Sequence, residues 1–554
     1  MAANEPWWKS AVLYQIYPRS FSDASGTGTG DLKGITRKLP YLADLGIDAI
    51  WISPFFKSPM NDFGYDVEDH RTVDPLFGTN EDFDHLLAEA HALGIRVMID
   101  LVLSHCAETH VWFQECLKGK GSAYDEAFIW VDPAPDGGPP NNWLSIFGGN
   151  AWTYNENRGQ YYLHNFLKSQ PDLNYHSTMV RAEALSIARY WLDKGVDGFR
   201  LDAINFCMHD PELRDNPPAT TPDGQCVQLS NPYGTMLHVY DKNHSELPAF
   251  LEELRAVMDT YEDRVTLGEI GATRERSQEL MSEYTRPGRL NLCYSFDLLT
   301  GPLEAEHFKN VAERLGALTD RSWGCWALSN HDVPRAATRF AQEESPTDDI
   351  AAASLAVLLS FRGTPCLYQG EELGLEEAEI DFEDLVDPYG IAFYPEFKGR
   401  DGCRTPMPWT HSLSNGGFCP EEIKPWLPVQ EKHLKRAADL AQANEQSVFH
   451  CLRALLRFRK KHSALSLGSM RIVTDAPRIL KLERSLGEEV VVCVFNLSSE
   501  TVTIRQPSNW KTQPGLNRGI SQSSVKGQLL MAGWSWYLQV STGVEIKNED
   551  PSEG

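Results

Sequence analysis

The feature that most limits how this chain can fold is a series of eight short, continuous apolar runs separated by helical patterns or loops. AVLYQIY (Ala11–Tyr17), IDAIWIS (Ile47–Ser53) and IRVMIDLVL (Ile95–Leu103) open the series. VDGFRLD (Val196–Asp202), VTLGEI (Val265–Ile270), NLCYSF (Asn291–Phe296), CWALS (Cys325–Ser329) and TPCLYQG (Thr364–Gly370) continue it. Continuous runs rich in β-branched residues, without polar alternation, read as strands buried on both faces. Between the second and third, Phe83, Leu86, Leu87, Ala90 and Leu93 follow helical spacing, with Thr79 or Asn80 as cap and Gly94 as stop. Leu247, Phe250, Leu251, Leu254, Val257 and Tyr261 line a second such face. Eight repeated βα units predict an α/β fold, a closed (β/α)8 TIM barrel. An open doubly wound sheet is the alternative, but no Gly-x-Gly-x-x-Gly turn follows any strand.

Two segments break the rhythm. Residues 105–174, rich in Pro, Gly, Asn and Trp, read as a small domain inserted after the third strand, and residues 209–245 as a long polar loop after the fourth. The barrel then occupies residues 1–104 and 175–466. From about residue 467 the runs MRIVTD, RILKLER, EVVVCVFN, TVTIR and WYLQV predict a C-terminal antiparallel β-sandwich (467–554) that ends in an acidic, disordered tail, KNEDPSEG.

The 554 residues carry 51 Lys and Arg against 77 Asp and Glu, a formal charge of −26 that repels nucleic acid and anionic lipid. No basic, then apolar, leader opens the sequence, and the longest apolar stretch, Ile350–Leu359, is too short to span a bilayer. Eleven cysteines without a Cys-x-x-Cys pair suit reduced thiols. The expectation is a cytoplasmic protein with no nucleic-acid or membrane partner; oligomeric state is left open.

In such a barrel the chemistry sits where strands end. Asp100 and His105 fall at the third strand, Arg200 and Asp202 at the fourth, Glu269 at the fifth, and Asn330, His331 and Asp332 at the seventh. Arg200 is two residues from Asp202 and shares its strand face, which would hold Asp202 ionised as a nucleophile. Glu269 closes an apolar strand, a setting that favours a protonated general acid. Two carboxylates so divided suit glycoside hydrolysis, with retention of configuration at a separation of about 5 Å. Any one of them alone reads equally as a cap or an ion-pair partner, and either histidine as structural. A metal cluster is disfavoured by the absence of His-x-His or His-Glu-x-x-His spacing.

DLVLSH (Asp100–His105), GFRLDAIN (Gly198–Asn205), GEI (Gly268–Ile270) and SNHD (Ser329–Asp332) resemble the ordered signature regions of the α-amylase superfamily, glycoside hydrolase family 13. YQIYPRSF, GDLKGI, FGYDV, QPDLNY (Gln170–Tyr175) and RTPMPW (Arg404–Trp409) are similar to its bacterial α-glucosidase and oligo-1,6-glucosidase branch. The resemblance implies Asp202 as nucleophile, Glu269 as acid/base and Asp332 as the third carboxylate, holding sugar hydroxyls. It implies that Arg200 orients Asp202, that His105 and His331 bind glucose, and that Tyr65 stacks on the ring. Asp62 and Arg400 would pair and grip the far hydroxyl, closing the pocket for exo-action. Phe147, Phe166 and Phe206 are candidate aromatic walls.

Family members often carry a calcium or magnesium loop, but here Ser25 and Thr27 replace two strong oxygen ligands between Asp23 and Asp31. Those two aspartates are weak candidates for such an ion, and no cofactor is expected to be required. Ala203, the small residue after the nucleophile, favours α-1,4 over α-1,6 linkages within the resemblance. The reading is thus an exo-acting, retaining α-glucosidase for maltose-type α-glucosides. Rivals are transfer to sugar or alcohol acceptors, oligo-1,6-glucosidase or sucrose-acting relatives, trehalose synthesis, and a non-catalytic relative.

Overall fold

The computed structural model of the chain describes residues 5–220, 227, 230–318, 323–341, 347–472, 478–506 and 516–542. The tail KNEDPSEG and the end of the run Met470–Asp475 lie outside the described residues. Eight parallel strands build the central sheet: β1 (Leu13–Ile16), β2 (Ala49–Ile52), β3 (Arg96–Val102), β4 (Gly198–Asp202), β5 (Val265–Ile270), β6 (Leu292–Ser295), β7 (Cys325–Trp326) and β8 (Thr364–Tyr368). They are ordered β6-β5-β4-β3-β2-β1-β8-β7, and a parallel bridge from Cys293 to Gly324 closes the ring. Every strand residue except Arg96 is buried, as continuous apolar strands require when helices cover the outside and side chains fill the lumen.

Local chemistry sets the helix ends. Thr79 and Asp82 form a reciprocal capping box for Asn80–Ala92, and Asp31 caps Leu32–Leu45 by accepting the Gly34 N–H. Gly46 ends that helix at φ 103°, a left-handed position that a side chain would strain. The helix predicted to reach Tyr261 stops at Met258, with Tyr261 packed on the core just beyond it.

Between β3 and the helix Thr178–Asp193 the chain makes a short helix, Val111–Cys116, and a three-stranded antiparallel sheet. That sheet orders Trp130–Val131, Gln160–Leu163 and Trp152–Asn155. After the barrel, six strands form one antiparallel sheet. Its long strand Gln528–Thr542 pairs first with Val502–Arg505 and Asn517–Gln522, then with Glu489–Asn496. The change of partner falls at Trp534, whose φ is 53°. Asn517–Gln522 was not legible in the sequence, since NRGISQ carries a single aliphatic residue.

Buried Arg484 fastens this sheet to the barrel, and buried Arg459 braces the same corner from the helix Val448–Lys461. Arg484 donates to the carbonyls of Ser360, Phe361 and Gly468, and Arg459 to those of Leu359, Gly363 and Leu465. These include the carbonyls at the end of the helix Thr347–Ser360 and in the turn into β8. The ten described cysteines are buried free thiols. Among the described residues no helix is long and apolar enough to cross a membrane.

Candidate active site

Parallel strands aim all their C-terminal ends at one face of the ring. In register, Asp100 of β3 faces Arg200 of β4, and Glu269 of β5 faces Tyr294 of β6, so each pair shares a side of the sheet. Arg200 is fully buried. Its Nη1 lies 2.9 Å from Asp100 and 2.5 Å from Asp202, and its Nη2 lies 2.6 Å from Glu269. One guanidinium therefore serves three carboxylates. Burial pushes Asp100 up to about 6 and Asp202 well above its ordinary value, against the pull of Arg200.

This corrects the sequence reading, which gave Arg200 to Asp202 alone and left Glu269 in apolar surroundings. The Glu269 side chain points into the polar lumen, not into the apolar layer outside. Its Oε2 pairs with Arg200 Nη2 and accepts from the Ala203 N–H (3.1 Å), and its Oε1 accepts from the Tyr294 hydroxyl (2.9 Å). Ala203 can aim its N–H there because it turns into the left-handed region (φ 40°, ψ 42°), strain of order 1 kcal/mol held beside the nucleophile.

A second cluster stands across the cavity. Arg400 Nη2 lies 2.9 Å from Asp62 and 2.8 Å from Asp387, and its Nη1 lies 3.2 Å from Asp332. Arg404 adds a second cation at 3.0 Å from Asp332. For Asp332 burial raises the pKa, but His331, Arg400 and Arg404 together outweigh it and hold the carboxyl well below its ordinary value. Asp387 is likewise drawn down to about 2, burial being overcome chiefly by Arg400. Asp62, also gripped by Arg400, is nevertheless pushed up to about 6 by burial.

Tyr65 stacks on His331 with ring centroids 5.2 Å apart and 1° between planes. Burial holds His331 well below its ordinary range and hence neutral. The Gln15 side-chain amide, 2.7 Å from Nδ1, assigns the proton to Nε2, which faces the Tyr65 oxygen at 2.6 Å. His105 Nε2 donates to the Tyr65 carbonyl (3.1 Å) and touches the Gln170 amide, which also donates to Asp62. Phe166 joins Phe206 (5.1 Å) to Phe147 (6.0 Å) in one aromatic wall. All these side chains except Asp100, Arg200, Tyr294, Asp387, Arg404 and the two glutamines, which brace from behind, line a cavity of about 190 Å³ with Asp202, Glu269 and Asp332.

The Asp23–Asp31 loop does not fit a hard cation. Asp23 accepts the N–H groups of Ser25, Gly26 and Gly28, and Asp31 those of Ala24, Ser25 and Gly34. Loop amides thus already supply the positive partners that an ion would provide.

Sequence reasoning missed five members of the site. Gln170 and Arg404 lay inside quoted motifs without a role, and Tyr294 and Gln15 are polar residues within apolar strands, a signal that could have exposed them. Asp387 had none, because only the fold brings its loop to Arg400.

Residues 15–468 match the family described as Alpha amylase, catalytic domain. The chain belongs to the α-amylase family. Within it, the chain is 49% identical over 540 residues to a probable alpha-glucosidase of Rhizobium meliloti (strain 1021), covering 97% of each. It is 39% identical to an oligo-1,6-glucosidase of Heyndrickxia coagulans, over 91% of this chain and 95% of that one. Among solved structures, the alpha-glucosyl transfer enzyme XgtA superposes with a TM-score of 0.92 at 48% identity, over 97% of this chain and 100% of that one. The trehalulose synthase MutB gives 0.86 at 32%, with the same coverage. This α-amylase family member is a glycoside hydrolase with glucosidase-type relatives.

Proposed function

We propose that the chain is an exo-acting, retaining α-glucosidase that removes terminal glucose from short α-1,4-linked substrates such as maltose. The observation that carries this reading is the pairing of Asp202 and Glu269 on the two arms of one guanidinium, at the floor of a pocket capped by Asp62 and Arg400. Arms of a single fork suit the roughly 5 Å separation of a double displacement better than the wider gap that admits a water.

In the first step an Asp202 oxygen bonds to C1 of glucose, the glycosidic bond breaks, and Glu269 gives its proton to the departing oxygen. In the second, water loses its proton to Glu269, its oxygen bonds to C1, and Asp202 leaves. Asp332, kept ionised by the two guanidiniums of Arg400 and Arg404, grips sugar hydroxyls and balances positive charge that builds at C1. No bound cation takes part in either step, and the amide-filled Asp23 loop supports a fold that holds without one. Buried free thiols and an acidic surface support a cytoplasmic enzyme with α-glucosides as its partners.

Transfer to an alcohol or sugar is the second reading. The cavity walls carry Phe206, Phe296, Val333 and Phe397, which favour a less polar acceptor over water. The likeness to a glucosyl transfer enzyme agrees with it. For linkage, the small Ala203 leaves room for a 4-linked partner. Glucose release from maltose and isomaltose tests this: maltose ahead by about tenfold in kcat/KM, ~1.4 kcal/mol of discrimination, is the expected result. Isomaltose ahead would make the chain an oligo-1,6-glucosidase.

A further inference from the structure

Tyr294 is a buried phenol in mid-strand whose hydroxyl is fully committed. It accepts from Arg200 Nε (3.3 Å) and Nη2 (2.8 Å) and donates to Glu269 Oε1 (2.9 Å). The direction of each bond is fixed, since a guanidinium only donates and an ionised carboxylate only accepts. Register explains the placement: Tyr294 and Glu269 are facing partners on adjacent strands, so the phenol reaches Glu269 wherever the barrel is intact.

We propose that Tyr294 is the positioning residue for the acid/base, holding Glu269 on Arg200 in the place from which it gives and takes its proton. The proposal rests on the assignment of Glu269 as acid/base. Its groundwork is a conflict visible in the site. A general acid must carry a proton when substrate arrives, yet Glu269 faces three donors: Arg200, the Ala203 N–H and Tyr294. All three touch the carboxyl that must both give and take a proton. The charged groups that oppose them are Asp202 on β4 and Asp100 on β3, with Asp332 across the cavity, while Lys242 adds a positive charge behind the strand end at the Gly271 carbonyl. Of the three donors, Arg200 also orients the nucleophile and the Ala203 amide is backbone. Tyr294 is the one whose hydroxyl can be altered without touching Asp202.

The sign of the effect follows. A donor to the ionised form makes the proton easier to lose, so removing it keeps Glu269 protonated to higher pH. Tyr294→Phe should move the alkaline limb of the kcat/KM profile up by about one pH unit, the shift expected for one hydrogen bond to a charged group. With a nitrophenyl α-glucoside, whose leaving group needs little acid help, the first turnover should persist as a burst. Steady-state kcat should fall about tenfold, because deprotonation of the attacking water loses its prepared base. A merely structural role would lower the rate without moving the limb. Because the phenylalanine variant strips an acceptor from a buried arginine, a second probe keeps the fold: 3-fluorotyrosine in place of Tyr294. Its more acidic hydroxyl donates more strongly and should move the same limb down.

An alkaline limb that stays in place in folded Tyr294→Phe, or that 3-fluorotyrosine moves upward or leaves unmoved, overturns the proposal. Glu269→Gln separates that failure from failure of the underlying assignment. If Glu269 is the acid/base, azide restores turnover of the nitrophenyl glucoside by attacking C1 and displacing Asp202. If azide does not, Glu269 is misassigned, and Tyr294 loses its role with it.

Discussion

Two guanidiniums serve the site, each with three carboxylates, and burial prevails over the charge around one more than around the other. Arg200 stands alone in the barrel lumen, where Asp100 is pushed up to about 6 and Asp202 further. Arg400 has Arg404 beside it, and Asp387 takes backbone N–H groups from Tyr389 and Arg400 as well. There Asp332 and Asp387 are held below their ordinary values, and only Asp62 is raised. The difference is a count of positive partners against burial, not of contacts. A short supply leaves protons free to move, which chemistry needs. A full supply fixes charge, which a grip on sugar hydroxyls needs.

The sharpest way to break this contrast is to remove the nucleophile. Asp202→Asn should lower kcat by about 10⁴-fold or more, while thermal unfolding shows a fold as stable as the parent, since one like charge leaves a crowded trio. A loss under tenfold in single-turnover glucose release would end the nucleophile assignment. On the gripping side, Arg400→Met should cost about 10²-fold in kcat/KM, mostly through KM. It should also lower Tm, because Asp62, Asp332 and Asp387 lose a shared partner. An unchanged KM would separate Arg400 from sugar binding.

The smallest effect is the most diagnostic. Asp100 titrates near 6 when folded and near 4 when unfolded, so its contribution to stability is full below about pH 4 and lost as pH rises through 6. Asp387 titrates near 2 when folded, so its contribution is present above about pH 4 and lost as pH falls towards 2. Unfolding of Asp100→Asn and Asp387→Asn from pH 2.5 to 8 should therefore differ from the parent in separate windows. Asp100→Asn should flatten the change between pH 4 and 6, and Asp387→Asn the change below 4. Deviations in the same window would erase the distinction between the two clusters.

How much of this was legible followed from how local each signal is. All eight barrel strands were readable, because burial on both faces leaves continuous apolar runs in the sequence itself. Asp202, Glu269 and Asp332 could be placed at strand ends for the same reason. The protonation pattern was not readable. It depends on Arg200 reaching across to β5 as well as along β4, a fact of strand order rather than of spacing. Asp387 was invisible because its partner Arg400 lies in an irregular loop with no period to read. The strand Asn517–Gln522 escaped because pairing with a longer neighbour, not its own pattern, makes it a strand.

The arginine that ties the last sheet to the barrel, Arg484, bears on how this enzyme could be engineered. A domain boundary drawn near residue 467 suggests a detachable module. Yet ending the chain there would remove Arg484 and orphan the carbonyls of Ser360 and Phe361 just ahead of β8. The terminal sheet therefore satisfies backbone groups that the barrel leaves open just before its last strand, and shortening, fusion or circular permutation has to respect that seam even though it is far from any reacting atom.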